Sequence, residues 1–168
     1  MDVHEGPFPD QLTVLQLSQE AFTGAFERNA LNFQCNNIKQ AQLIIKNTIN
    51  LPPAGYQLDT MTHGDPADAN AVWFPVRYMK TYVECMTALA PDASLLELQA
   101  CIDHDAFVGG SFVLTWQFRH GRAAKRGHGL IRFVAELHQP LASTTVLLCL
   151  LHNDRTVISR ANGGVEFH

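Results

Sequence analysis

The stretch GLIRFVAELHQPLASTTVLLCLLHNDRTVISR, residues 129–160, decides the fold. Its first part alternates between apolar and polar positions up to Leu137, which predicts a strand with one face in a core. The run TVLLCLL (145–151) carries large apolar residues on both faces and predicts a strand that is covered on both sides. An Asn-Asp pair then predicts a tight turn into a third strand, 155–160. We therefore expect a three-stranded antiparallel meander that the rest of the chain covers.

The composition is that of a globular protein. The chain has 168 residues, of which 46% are hydrophobic and 17% charged, so we expect one domain and not a disordered chain. The formal net charge of −4 argues against a dedicated nucleic-acid-binding protein. No apolar run is long enough to span a membrane, and the polar, acidic start MDVHEGPFPD does not have the pattern of a signal peptide. These features predict a cytoplasmic or nuclear protein.

The four cysteines are not arranged as CxxC pairs. Three of them, Cys35, Cys85 and Cys149, lie within apolar patterns, whereas Cys101 lies in a turn-rich segment. Cysteines in such patterns are usually buried, reduced thiols. The sequence therefore predicts a reducing compartment.

The N-terminal half predicts an extended arm followed by short strands. Prolines exclude a helix from the arm, residues 1–10. Apolar runs or alternation predict strands at 12–17, 31–35 and 40–46, with a loop over 18–30. The sequence LPPAG (51–55) is expected to end the last of these strands.

The central region predicts one helix after a long polar loop, residues 55–71. Apolar residues recur at helical spacing over 75–90, with Pro75 suited to the first position. We expect this helix to close an open edge or end of a β-sandwich. Tyr78 and Tyr82 form a second ridge on it and are possible interface residues.

The clearest alternation in the chain is Ser111 to Phe118. It predicts a strand with four inward residues, Phe112, Leu114, Trp116 and Phe118, and four outward residues, Ser111, Val113, Thr115 and Gln117. With this strand the chain has seven or eight short strands and one inserted helix. Because strands and helices do not alternate, the pattern indicates an all-β sandwich or barrel.

Three segments resemble one protein family when they are taken in order: 21–52, 102–118 and 131–167. The first resembles a "Phe-x-Gly … Asn-Pro-Phe-x-Phe" stretch, through Phe22, Gly24, Asn29, Asn32 and Phe33. The second resembles a strand that follows a "Phe-x-Gly" pattern, and the third resembles a C-terminal meander. The family is that of the major capsid proteins of the double-jelly-roll lineage, such as those of Polinton/adintovirus-like elements. Two departures are Ala30, where proline is common, and Trp116-Gln117, where acidic and polar residues are usual.

This resemblance implies an eight-stranded antiparallel jelly-roll sandwich with one inserted α-helix, about 75–90. The family carries two jelly rolls, and the chain, as a single domain 1–168, resembles the second, C-terminal one. The implied role is a viral capsid building block, in a family whose double subunits form pseudo-hexagonal capsomers. The implied partners are further copies of the chain and other capsid proteins, and the implied location is the virion, assembled in the host cytoplasm or nucleus.

We expect no catalytic, cofactor or metal site. The eight histidines show no HxH or HxxxH spacing and lack the clustered ligands of a cupin metal site. The chain has no Gly-x-Ser-x-Gly elbow. Asp103, His104 and Asp105 are neighbours that would point to opposite faces of an extended segment, so they are not expected to converge as a triad.

The basic loop 119–128 is a possible contact with packaged genome or with an acidic neighbouring subunit. Its cations are Arg119, Arg122, Lys125 and Arg126. We favour a solvated connection between strands, because no aromatic residue lies between the charges for stacking on bases.

An alternative function is a jelly-roll binding module, lectin-like or receptor-like. It would use the Asp- and Asn-rich loop end 56–73, which includes Trp73.

Overall fold

The computed structural model describes residues 1–29, 31–35, 38–58, 76–90, 102–118, 127–141, 143–153, 157–159 and 165–167. Its strands are β1 (Asp2–Pro7), β2 (Gln11–Ser18), β3 (Ile38–Ile45), β4 (Ile49–Gln57), β5 (Val113–Gln117), β6 (His128–Leu137), β7 (Thr145–His152), β8 (Val157–Ser159) and β9 (Val165–Phe167). Its helices are α1 (Gln19–Phe22), α2 (Val76–Leu89) and α3 (His104–Gly109). Within the described ranges, no helix is long and apolar enough to cross a membrane.

Seven strands form two antiparallel sheets. Sheet 1 has the order β1-β6-β3-β4 and sheet 2 the order β5-β2-β7, while β8 and β9 pair with each other. This architecture confirms the prediction of a mainly β, two-sheet antiparallel fold. The two sheets of the described residues hold one strand fewer than the eight expected.

Six of the strands are paired in a nested order. β3 pairs with β4 in sheet 1, β2 pairs with β5 in sheet 2, and β1 pairs with β6 in sheet 1. Each pair therefore encloses the previous one along the chain, and successive pairs alternate between the sheets. β7 is added to the other side of β2.

The core lies between the two sheets. The Trp116 ring on β5 lies 5.1 Å from the Tyr56 ring on β4 and 6.1 Å from the Phe133 ring on β6, measured between centroids. Leu12, opposite Trp116 in the strand pairing, and Leu43 of β3 are fully buried in the same cluster. Because these side chains come from both sheets, the sheets pack face to face.

Helix α2 bridges the edge strands of the two sheets, and it confirms the predicted helix to within one residue at each end. Gln117 Nε2, at the end of β5, donates to Ala88 O at 3.1 Å. Thr81 Oγ1 donates to Gln57 O, at the end of β4, at 3.1 Å. Since β4 and β5 are outer strands, α2 closes an open side of the sandwich, as predicted.

The predicted N-terminal arm is largely a paired strand. Residues 2–7 form β1, which lies beside β6. The Met1 ammonium donates to Phe133 O at 2.9 Å, and Arg132 Nε donates to Asp2 Oδ1 at 2.7 Å. Hydrogen bonding to Arg132 lowers the pKa of the Asp2 carboxyl. The prolines exclude a helix here, but they do not exclude a strand at the edge of a sheet.

Two expectations in the region 31–57 are wrong. Residues 31–35 form no strand, and the only pairing described there is an isolated parallel bridge between Phe33 and Ser111. The LPPAG sequence does not end a strand, because β4 runs through it. β4 is an edge strand of sheet 1, and prolines are tolerated at edges where no neighbour needs their missing N–H.

The predicted meander is also wrong. β6 lies in sheet 1, β7 lies in sheet 2, and β8 pairs with β9. The chain therefore passes from sheet 1 to sheet 2 between β6 and β7. β7 is an edge strand whose residues are half-buried or exposed, not the doubly covered strand expected. An apolar run has the same sequence pattern whether it is covered or left open.

Two further differences lie around β5. Val113 and Thr115, which were expected to face outward, are buried together with the inward residues. Residues 104–109, which were expected to be turn-rich, form helix α3. Asp103 caps this helix, because its Oδ1 accepts from Ala106 N at 2.7 Å.

Candidate interaction surface

The predicted basic cations, Arg119, Arg122, Lys125 and Arg126, lie outside the described residues, as do residues 59–73 of the alternative ligand loop. At the end of the basic loop, Gly127 O accepts from Phe8 N at 2.8 Å, and His128 begins β6. The contact of the four basic residues with genome or with a neighbouring subunit therefore stays a prediction.

Tyr78 and Tyr82, the possible interface residues of the helix, are core residues of the chain. Both rings are buried against Phe107 of α3. Tyr82 Oη donates to Ile102 O at 2.6 Å, and Tyr78 Oη donates to His104 O at 3.3 Å. Burial raises the pKa of Tyr78, which keeps its hydroxyl neutral. The ridge that Tyr78 and Tyr82 form on α2 therefore faces inward. Through it the two tyrosines hold α2 onto α3.

The Asp103-His104-Asp105 segment serves a local structural role. Asp103 is the N-cap of α3, and His104 Nε2 lies 3.3 Å from Asp105 Oδ1. Over the described part of the chain, no three His, Cys, Asp or Glu side chains lie close enough together to hold a metal ion.

Three of the predicted thiols are free in the structure: Cys35, Cys85 and Cys149. Cys35 and Cys85 are buried, and Cys149 is half-buried on β7. Burial raises the pKa of Cys35 to about 11 and that of Cys85 to about 12. Because the thiolate is the reactive form, both buried thiols are unsuited to nucleophilic chemistry.

These pKa values predict slow alkylation of the native protein. At pH 8 the thiolate fraction of Cys85 is about a thousandfold below that of an ordinary thiol, and that of Cys35 about a hundredfold below. Iodoacetamide labelling followed by peptide mass spectrometry should show Cys85 slowest, Cys35 next and Cys149 faster than both. In urea all three should react at similar rates. Rapid native labelling of Cys85 would contradict its burial.

An exposed apolar surface lies on the segment between β2 and β3. Phe26 is 105% exposed, and Phe22 and Leu31 are also well exposed. Large apolar side chains that are exposed together make a candidate interaction surface. The loop predicted for residues 18–30 did not indicate an exposed apolar surface. The sequence signal for it is the presence of two phenylalanines, Phe22 and Phe26, next to the turn residues Gly24 and Asn29.

A polar cavity of about 480 Å³ lies beside this segment, where β2 ends. It is lined by Ser18, Gln19, Glu20, Ala21, Arg28, Asn29, Asn32, Gln34, Ser143 and Thr144. Arg28 Nε lies 3.0 Å from Glu20 Oε2, and both side chains are mostly exposed. Asn29 Oδ1 accepts from Leu31 N at 2.9 Å. The cavity can therefore offer several hydrogen-bond donors and acceptors to a polar ligand.

The side chain of Asn32, which lines this cavity, lies close to a glycine. A Cβ atom added at Gly110 would lie 2.5 Å from Asn32 Oδ1, and the backbone there has φ of +147°. The neighbouring Phe33 N donates to Gly110 O at 2.7 Å. The segment after the cavity is thus fixed to the start of β5.

The edge strand β7 presents a second apolar surface. Leu150 is 55% exposed, Leu151 is also exposed, and the preceding residues from Thr145 to Cys149 are half-buried. Among the described residues, this strand and the segment around Phe26 are the main exposed apolar features of the sandwich.

Comparison of the chain with protein-family models, with curated proteins and with solved structures finds no match.

Proposed function

We propose that this chain is a jelly-roll building block of a viral capsid, which assembles with copies of itself into capsomers. The observation that carries this proposal is the nested, alternating pairing of β1 with β6, β2 with β5 and β3 with β4. A jelly roll is an antiparallel ribbon wound in this way, and capsid proteins are among its main users. The described strands form three nested pairs, where a complete eight-stranded jelly roll has four.

The exposed apolar residues support an assembling protein over a solitary one. Phe22, Phe26 and Leu31 on one segment, and Leu150 and Leu151 on another, are exposed to solvent. Burying exposed apolar area is the main source of free energy for association. Many weak contacts repeated by symmetry are enough to stabilise a closed shell.

The resemblance in sequence supports the same function. The segment 21–52, which resembles a stretch of double-jelly-roll capsid proteins, contains the exposed Phe22, Phe26 and Leu31. On this proposal the partners are further copies and other capsid proteins, with the basic loop 119–128 as a possible genome contact. The location is the virion, and the protein has no enzymatic role.

Assembly is expected to depend on concentration. Light scattering coupled to size-exclusion chromatography should show trimers or larger species as the concentration is raised at moderate salt. Negative-stain electron microscopy of the same samples should show regular particles or capsomers. A strict monomer at high concentration would contradict the proposal.

A second candidate function, a ligand-binding jelly roll, is favoured by the polar cavity beside α1. Lectin domains share the jelly-roll architecture, and the Glu20–Arg28 pair and neighbouring amides suit hydroxyl-rich ligands. A glycan array would distinguish the two functions. Binding that is lost in Arg28→Ala, in a protein that stays monomeric, would favour the second.

A further inference from the structure

Three of the four edges of sheets 1 and 2 carry features that block association. An open edge exposes unpaired N–H and C=O groups, and native proteins protect it with prolines, charges, bulges or a covering element. β1 has a register shift and carries Asp2 and Glu5. β4 contains Pro52 and Pro53, and α2 packs on β5.

The fourth edge, β7, has none of these features in the described structure. Its pairing with β2 continues from Thr145 to His152 without a register shift. Residues 145–151 include no proline and no charged residue. Its outer surface is apolar on both faces, since consecutive residues Leu150 and Leu151 are both exposed. Such an edge is a template for another strand.

The hydrogen bonds to β2 identify which groups of β7 face outward. Gln19 N donates to Thr144 O at 3.0 Å, in the register that continues along the two strands. Bonded and non-bonded positions alternate in an antiparallel pair, so Val146, Leu148 and Leu150 bond to β2. The odd-numbered residues from 145 to 151 therefore direct their N–H and C=O groups to the free edge.

We propose that β7 pairs with β7 of a second copy of this chain, antiparallel and around a two-fold axis at Leu148. This register places Thr145 opposite Leu151 and Leu147 opposite Cys149 of the second copy, so that all seven residues 145–151 are paired. The two three-stranded sheets then join into one six-stranded sheet. The inference rests on the proposed function and gives its self-assembly one defined contact.

A second copy is the occupant that the charges favour. Each chain has a net charge of −4, so two copies meet with the least electrostatic repulsion through an uncharged surface. A charged residue opposite β7 would lose water on either face without gaining a partner. The run 145–151 of a second copy carries no charge and therefore avoids this loss. A two-fold axis brings the two identical strands together in antiparallel order.

Disulfide trapping tests the register directly. Directly opposite residues of a bonded antiparallel pair have Cα atoms about 5.5 Å apart, within the range of a disulfide. Leu147→Cys, treated with a mild oxidant, is expected to give a covalent dimer on a non-reducing gel. Combining Leu147→Cys with Cys149→Ser should abolish that dimer. A dimer that persists in the double variant, or no dimer in the single one, would overturn the proposed register.

A matched pair of charge substitutions tests the contact without cysteine chemistry. Leu150 on β7 and Ile49 on β4 are both 55% exposed. Leu150→Lys is expected to weaken self-association by about tenfold or more in sedimentation equilibrium, because it puts two desolvated cations into the paired sheet. Ile49→Lys should leave self-association unchanged. Equal effects of the two substitutions would overturn the β7 contact.

The two proposals fail in different ways. Particles that form equally well in Leu150→Lys, with no trapped dimer in Leu147→Cys, would overturn the β7 contact and leave shell assembly intact. A trapped two-fold dimer that never grows into larger species would leave the contact and overturn the capsid function.

Discussion

Replacing Trp116 with alanine is expected to lower the free energy of unfolding by about 3–5 kcal/mol, the usual cost of removing a large buried aromatic side chain. The Trp116 ring is almost fully buried and contacts both Tyr56 and Phe133 of the opposite sheet. Its loss leaves a cavity where the two sheets meet. Since small domains have only about 5–15 kcal/mol of stability, a large part of it would be lost. Urea unfolding followed by circular dichroism measures the change.

Phe26→Ala is the matched control for this experiment. It removes an aromatic side chain that is fully exposed in the chain, so the stability of the monomer should change by less than about 0.5 kcal/mol. The two variants should be compared at concentrations where the protein is monomeric, because Phe26 belongs to a proposed association surface. A loss below about 1 kcal/mol in Trp116→Ala would contradict the sheet packing described above.

Replacing Phe107 with alanine is expected to cost a similar amount, about 3–5 kcal/mol, but with a more local effect. Phe107 is fully buried, and its ring centroid lies 6.0 Å from Tyr78, 5.3 Å from Tyr82 and 5.1 Å from Phe112. These contacts join α3 to α2 and to the start of β5. Amide hydrogen exchange of α2 should therefore accelerate more than that of β2, the central strand of sheet 2.

Tyr82→Phe separates packing from hydrogen bonding in this cluster. It keeps the ring against Phe107 and removes only the hydroxyl that donates to Ile102 O, so the cost should be about 0.5–1.5 kcal/mol. If Phe107→Ala left exchange in α2 unchanged, the aromatic cluster would not be what holds the helix.

The sequence allowed a good prediction of elements that have one face in the core. β3 and β6 follow the expected segments closely, because alternation reports a strand whose two faces meet different surroundings. The bounds of β2 and β5 also match their segments, although β5 is buried on both faces. The helical spacing over 75–90 likewise predicted α2 and its position beside the sheet edges. The periodicity of a sequence describes each element separately, however, and does not show which strands pair with each other.

The errors arise where pairing or exposure decides the outcome. The two prolines of β4 indicated the end of a strand, whereas they lie within an edge strand. The apolar run of β7 indicated burial, whereas the strand is open on one side. Tyr78 and Tyr82 were expected as possible interface residues, because no local pattern indicates that Phe107 packs against them. The polar cavity joins residues 18–34 to 143–144, and no local pattern links such distant segments.

The nested order of the strand pairs has a consequence for how the chain reaches its native state. The innermost pair, β3 with β4, needs only a short turn at Lys46 and Asn47 to close. The outermost pair includes a bond from Met1 to Phe133, which are 132 residues apart. Closing long segments costs chain entropy before any contact repays it, and topologies with such distant partners fold slowly. β6 can pair with β3 while β1 is still free, so the first strand of the chain can be among the last to find its place.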